Sequence, residues 1–279
     1  MKRLSITSVN YHLNSECNMR CKYCFSKYDL EGNKHLNLHE SLKLIEEIAA
    51  SGAKKLTFVG GEPMLCPWLG QLIRHAKNLG LTTMLITNGS RINDSFLIEM
   101  QGYLDWIGVS VNSLDVSSLK SIGAQCEKTV INSDFYFRLV EKIKSYKYRL
   151  KINTVVCNVN KNEDFSEFIN FALPERWKVF QVMPITKASH EYVITKNEFW
   201  DFCSRHSKIV ARTVNMIPED NDLMTESYTM IDPIGRFYDN GSGILKFSDP
   251  ILKVGFENAL AQVTIRDDKF VERKAVYDW

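Results

Sequence analysis

Apolar and polar positions along this chain keep two rhythms that replace each other repeatedly. Residues 4–12, LSITSVNYH, alternate with period two and are rich in β-branched side chains, which predicts a strand. The spacing then turns helical over 38–51, where Leu42, Leu44, Ile45, Ile48 and Ala49 form an apolar stripe. Asn37 followed by Glu40 predicts a capping box at its start, and Gly52 a stop. The alternation continues with strands at 55–59 (KLTFV), 81–87 (LTTMLIT), 106–111 (WIGVSV), 149–156 and 177–183 (WKVFQVM), separated by helices near 68–78, 94–102, 134–146 and 164–172. Strands joined by crossovers of a dozen or more residues have to run parallel. The expected fold class is therefore α/β, either a wound parallel sheet or a partial (β/α)6 barrel, built from residues 1–183. In such folds the working loops follow the strands, so the stretch after residue 12, Gly60-Gly61-Glu62-Pro63, Asn88-Gly89 and Ser113 would meet at one mouth.

After Pro184 the rhythm fades. Thr195 and Glu198 predict the cap of one more helix running to about 210, and residues 214–279 mix short segments and turns without a clear period. Tyr228, Phe237, Tyr238, Phe247, Val254, Phe256 and Trp279 make this part too apolar for a disordered tail. Residues 184–279 are expected to form a C-terminal extension that covers the barrel mouth and closes a substrate site.

Composition narrows the function without deciding it. The 279 residues are 44% hydrophobic, and 35 basic against 33 acidic side chains leave a net charge of +2, far from the balance of a general nucleic-acid binder. An anionic ligand would have to meet a local cluster of cations. No window approaches the apolar length of a membrane span, and the N-terminus has no signal-peptide core, so the expectation is a cytoplasmic protein without membrane contact. Seven cysteines are an odd number, and Cys66, Cys126, Cys157 and Cys203 are scattered, which suits reduced thiols.

The other three cysteines fall within eight residues: Cys17, Cys21 and Cys24 in ECNMRCKYCF. Thiolates at this density select a soft metal centre, and three of them leave one coordination position open on an iron-sulfur cluster. A structural zinc would need a fourth ligand, and no second cysteine or histidine pair with zinc-finger spacing follows.

This loop resembles the cluster-binding signature of radical S-adenosylmethionine enzymes, and Gly60-Gly61-Glu62-Pro63 resembles the methionine-binding loop of the same superfamily. Further similarity, in Val9-Asn10-Tyr11-His12, Lys151-Ile152-Asn153, residues 176–181, Ser227-Tyr228, Arg236-Phe237 and Asp278-Trp279, is to the viperin family in its short prokaryotic form. The resemblance implies a 4Fe-4S cluster on Cys17, Cys21 and Cys24, with S-adenosylmethionine held by Phe25, Gly60, Gly61, Glu62, Asn88 and Ser113. It implies a nucleoside triphosphate, CTP or UTP, bound by Asn10, Lys55, Lys151, Asn153, Lys178, Arg273 and Lys246, with Tyr228 in the later chemical steps. The implied reaction is abstraction of the 4'-hydrogen by a 5'-deoxyadenosyl radical and loss of the 3'-hydroxyl, giving a 3'-deoxy-3',4'-didehydro nucleotide that terminates viral RNA chains. A monomer served by an electron donor such as flavodoxin or ferredoxin is the implied assembly.

The residues give partial physical support of their own, because a lysine inside an apolar strand, as at 55, 151 and 178, is costly to bury without an anion. There are also departures: Ala124 stands where the family has an arginine, and Val59 replaces a serine before the two glycines. The alternatives left open are another radical S-adenosylmethionine enzyme acting on a peptide or small molecule, and a non-enzymatic iron-sulfur binding module.

Overall fold

The computed structural model describes residues 6–26, 34–208, 213–241, 243 and 245–278. Its six expected strands lie side by side in chain order: β1 (Ser8–His12), β2 (Lys55–Val59), β3 (Thr82–Thr87), β4 (Trp106–Ser110), β5 (Arg149–Val156) and β6 (Arg176–Gln181). Each pairs in parallel with the next. The crossovers carry α1 (Leu38–Ala50), α2 (Leu69–Asn78), α3 (Asp94–Glu99), α4 (Val116–Ser121), α5 (Ser133–Ser145) and α6 (Ser166–Ala172). Both halves of the expected Asn37/Glu40 capping box form, which fixes the first residue of α1. The sequence pattern did not foresee α4: at six residues it is too short to show a helical period, and its start is set locally by the Asp115 side chain accepting from Ser118 N.

The C-terminal third adds strands at both ends of this sheet. After α7 (Lys196–Ser207), which starts at the expected Thr195/Glu198 capping box, β7 (Asn215–Glu219) joins β6 in parallel. Past α8 (Asn221–Met224), β8 (Thr229–Ile231) joins the other side of the sheet parallel to β1, followed by the antiparallel pair β9 (Arg236–Asp239) and β10 (Lys246–Pro250). The result is one ten-stranded sheet in the order β10-β9-β8-β1-β2-β3-β4-β5-β6-β7, with β10 and β7 as its two ends. Residues 184–279 thus extend the barrel wall. These strands escape a periodicity reading because β8 and β9 are three and four residues long and β7 and β10 each contain a proline.

Beyond β10 come α9 (Ile251–Val254), α10 (Phe256–Leu260) and α11 (Asp267–Glu272). The chain then closes the end of the barrel opposite to the mouth. Tyr277 packs edge-on against Trp106, its hydroxyl lies 3.2 Å from Lys55 Nζ, and the Arg176 guanidinium covers its ring at 3.8 Å. Trp106, Lys55 and Arg176 are the first residues of β4, β2 and β6, so the closure sits where the strands begin. Arg176 also donates to Lys274 O at 2.8 Å. Among the described residues no helix is long and apolar enough to cross a membrane. Residues 4 and 5 of the expected first strand, the expected end of α7 near 210, and Trp279 lie outside the described residues.

Candidate active site

The curved sheet encloses a cavity of about 370 Å3 that runs from the ends of the strands to their beginnings. Its walls follow the period-two rule: Ser8, Asn10 and His12 of β1, Lys55, Thr57 and Val59 of β2, and Lys151, Asn153 and Val155 of β5 face inward. The intervening Val9, Tyr11, Leu56, Phe58, Ile152 and Thr154 are turned to the core and are fully or almost fully buried there. Pairing register sets Asn10 level with Thr57 and Asn153 level with Lys178.

At the strand-end mouth, the chain leaves β1 and forms the cysteine loop, with Cys17, Cys21 and Cys24 all half-buried and all on the cavity wall. Backbone bonds anchor the loop on two sides. Arg20 N donates to Gly123 O (3.0 Å) and Lys22 N to Ile122 O (2.9 Å), while Gly61 N donates to Asn14 O (2.8 Å) and Glu62 N to Glu16 O (2.7 Å). The two glycines are required by this contact. A Cβ at Gly61 would lie 2.0 Å from Glu16 O, and Gly60, at φ +141°, would place one 2.7 Å from Asn14 O. The expected reason for them was close approach to a cofactor; the structure shows close approach to the cysteine loop.

The donors around Cys17 suit a thiolate. Met19 N lies 3.4 Å and Asn88 Nδ2 3.9 Å from its Sγ, both able to donate, and they oppose the burial that pushes the thiol up. The described residues hold no three His, Cys, Asp or Glu side chains converging as they would on one ion. The three cysteines share a wall of the cavity, as ligands to separate irons of a cluster must.

Glu62 is fully buried and stands behind the cavity wall. Its Oε1 accepts from Thr87 Oγ1 (2.7 Å) and Met64 N (3.1 Å), and its Oε2 from Asn88 N (2.9 Å). Burial raises the carboxyl, and these three donors oppose the rise. The carboxylate thereby fixes the 87–88 turn, which presents Asn88 to the cavity beside Asn18, at 2.9 Å. Phe25 and Ala124 also face the cavity, and the Tyr23 hydroxyl on the same wall is buried with no hydrogen-bond partner among the described residues.

The strand-start end is cationic. Lys55, Lys151, Lys178 and Arg273 line it, all nearly buried. Burial and the neighbouring cations hold Lys55 and Lys151 well below the ordinary lysine range. Lys178 is brought down to about 7 by burial, with Glu219 opposing and Arg273 adding to the fall. Glu219, fully buried on β7, accepts from Lys178 Nζ on one oxygen and from the Tyr228 hydroxyl on the other, with Arg273 Nη1 at 3.9 Å. Burial alone would raise its carboxyl, but Lys178 and Arg273 hold it below the ordinary value. Lys178 Nζ also lies 2.9 Å from the Tyr228 hydroxyl, and burial, then Glu219, push that phenol far up. Arg273 donates twice to Ser227 O and covers the Tyr228 ring at 3.7 Å.

Besides Glu62, two more expected site residues lie off the cavity. Ser113 is fully buried off the cavity, its hydroxyl donating to the half-buried Glu163 carboxylate, 2.7 and 2.8 Å from its two oxygens. Lys246 is exposed on the edge strand β10, where an ammonium keeps its water. Sequence reasoning missed Glu219, Arg176 and Asn14. Glu219 follows a proline in a five-residue strand, with no local signal that it faces two cationic groups, Lys178 from β6 and Arg273 from the C-terminal segment.

A model of the radical SAM superfamily matches residues 12–172. An S-adenosylmethionine-dependent nucleotide dehydratase of Flammeovirga pacifica is 44% identical over 98% of this chain and 96% of that protein. One of Lacinutrix mariniflava is 45% identical over 98% of this chain, which spans 59% of that protein. Among solved structures, native anSMEcpe with bound AdoMet superposes with a TM-score of 0.68 at 13% identity, covering 98% of this chain and 84% of that one, a likeness of fold.

Gly61→Ala should leave the sheet intact, with an unchanged far-UV spectrum, and displace the cysteine loop. Iron and sulfide bound per chain after anaerobic reconstitution are expected to fall to less than about half, since a backbone oxygen 2.0 Å from the added Cβ cannot move aside as a side chain could. Full iron content in this variant would mean that the contact between the two loops does not shape the cluster site.

Proposed function

The chain belongs to the radical SAM superfamily and, within it, to the S-adenosylmethionine-dependent nucleotide dehydratases, and we propose that its substrate is a ribonucleoside triphosphate, CTP first and UTP second, converted to the 3'-deoxy-3',4'-didehydro analogue. The observation that carries this reading is that one cavity has the cysteine loop at one end and four buried cations at the other. The cluster on Cys17, Cys21 and Cys24, with S-adenosylmethionine on its open iron, supplies a 5'-deoxyadenosyl radical when both are bound.

The protein's own groups then divide the remaining work. Gly60, Gly61 and Glu62 hold the cysteine loop and the Asn88 turn in register, and Phe25 and Asn88 face the cofactor's end of the cavity. Lys55, Lys151, Lys178 and Arg273 are proposed to grip the phosphates through charge-assisted hydrogen bonds. Asn153 Oδ1 is buried without a partner among the described residues, two positions along β5 from Lys151, and a sugar hydroxyl donor would satisfy it. Asn10 faces the same space from β1.

Tyr228 would supply the hydrogen or the electron that the substrate needs as the 3'-hydroxyl departs, held for that step by Glu219 and Lys178. A flavodoxin or ferredoxin is the proposed electron donor, and the chain is proposed to act as a cytoplasmic monomer. Incubation of the reduced enzyme with S-adenosylmethionine and each of the four ribonucleotides should raise 5'-deoxyadenosine formation with CTP above UTP, and little with the purines. No stimulation by any of them would leave the peptide or small-molecule alternative standing.

Lys151 separates binding from stability. Its ammonium is almost buried and has no acceptor among the described residues, so a phosphate is its natural partner. Lys151→Met should weaken CTP binding by about 1.5–3 kcal/mol while raising the thermal midpoint of the nucleotide-free protein by about 2–4 °C. Equal CTP affinity by calorimetry, or a lowered midpoint, would remove this lysine from the phosphate site.

The depressed lysines also set a pH dependence. Lys178, near 7 in the nucleotide-free protein, has to be protonated opposite a phosphate, so binding takes up a proton above pH 7. Affinity is expected to be fullest just below pH 7 and to fall as pH rises through it, by up to about tenfold per unit for each proton taken up. Titrations at pH 8 in two buffers of different ionisation enthalpy should differ in heat by the uptake; identical heats would mean that no lysine changes its charge.

A further inference from the structure

One wall of the cavity is built neither by the cysteine rim nor by the cations. It lies where β6 and β7 face β8 and β9 across the space, and is lined by Phe180, Gln181 and Met183 from β6 and the turn after it, Met224 from α8, and Asn240 from the turn after β9. Contacts across the space hold the two sides together. The Tyr228 hydroxyl meets Lys178 and Glu219, and Asn240 meets Met183. Phe180 and the methionines give the wall an apolar, polarisable surface.

Two amides interrupt that surface, and their hydrogen bonds differ. Gln181 is committed to the protein at both atoms: its Nε2 donates to Ile194 O (3.0 Å) and its Oε1 accepts from Asn221 N (3.2 Å). Asn240, only 3% exposed, is committed on one side. Its Oδ1 accepts from Glu226 N at 2.8 Å, and because a backbone N–H requires an oxygen there, this bond fixes which end of the amide is which. Nδ2 is thereby turned the other way, where its acceptor among the described residues is Met183 Sδ at 3.5 Å. A thioether is a weak acceptor, and the amino group has two hydrogens to give. The turn that carries Asn240 is itself tied down, Gly241 N donating to Asp239 Oδ1 (3.1 Å) and Thr264 N to Asp239 Oδ2 (3.0 Å). The result is a preorganised donor on an apolar wall.

We propose that Asn240 reads the base of the nucleotide, its Nδ2 donating to the exocyclic carbonyl oxygen at C2 of a pyrimidine. This rests on the triphosphate reading of the site: with the phosphates at the strand starts and the sugar turned towards the cofactor, the wall between β6 and β9 is left for the ring. A buried donor with only a thioether to meet gains from a carbonyl oxygen. The C2 carbonyl is common to cytosine and uracil, so the contact admits both. Adenine has no exocyclic oxygen to offer.

Calorimetric titration of CTP, 2-thio-CTP and inorganic tripolyphosphate into the reconstituted protein, with S-adenosylmethionine present, tests the assignment. Sulfur at C2 is a poorer acceptor than oxygen, so the protein is expected to bind CTP about tenfold more tightly than 2-thio-CTP. In Asn240→Ala the two should bind equally, at the weaker level, while tripolyphosphate, which has no base, binds variant and parent alike. An undiminished preference for CTP in the variant, or no preference in the parent, overturns the proposal. Loss of tripolyphosphate binding in the variant overturns it as well, since Asn240 would then be shaping the cavity. Asn240→Asp guards against a loosened turn in the alanine variant, because it keeps an oxygen for Glu226 N and exchanges the donor for an acceptor. Its affinity for CTP should fall at least as far as that of Asn240→Ala, and an unchanged affinity overturns the proposal. A parent protein that binds neither CTP nor tripolyphosphate would overturn the triphosphate reading, and the base contact with it.

Discussion

Amines buried at the beginnings of strands constrain most of this structure. An ammonium withdrawn from water without a counter-ion is costly, and three lysines and an arginine meet around one space, with Glu219 paired to Lys178 among the described residues. The surrounding features answer that cost. Glu219 is sited to face Lys178 and Arg273, the lysines are depressed towards their neutral forms, and Tyr277 covers Lys55 and Arg176 with an aromatic ring.

The opposite end is built on backbone contact. Two loops, one after β1 and one after β2, touch through four main-chain groups, and the contact exists only because residues 60 and 61 have no side chains. Glu62, which the sequence suggested as a cofactor ligand, is fully committed to Thr87, Met64 and Asn88. It thereby couples the second loop to the third. Three successive strand ends are tied into one rigid rim, and the cysteines inherit their positions from it.

The strands themselves measure the distance between the two ends. At ~3.3 Å per residue, the five steps from Lys55 to Gly60 span roughly 16 Å. That is the length of cavity wall between the lysines at the strand starts and the loops at the strand ends. Tyr228, hydrogen-bonded to Lys178 and Glu219, faces the same cavity.

Local patterns were enough to specify six strands, the capping boxes of α1 and α7, the cysteine loop and its partner GGEP, because each rests on residues close in sequence: alternation, a cap three residues long, thiols spaced by two and three. The lysines at 55, 151 and 178 were conspicuous for the same reason, as charges inside apolar strands. What the tertiary structure alone decided is which chain segments face one another. The strands after residue 214 are too short to carry a period, so their place in the sheet depends on pairing partners nearly 220 residues away, as β8 does on β1. The C-terminal segment settles on the strand starts and leaves the mouth, since its Tyr277 finds there an indole and two cations that no local signal connects with it. Glu219 looks like any other acid in its own stretch of chain, and becomes the counter-ion of the site only when β7 is laid beside β6 and Arg273 returns from the end of the chain. Burial and charge compensation are properties of neighbours in space, and the sequence supplies the charges without saying which of them will meet.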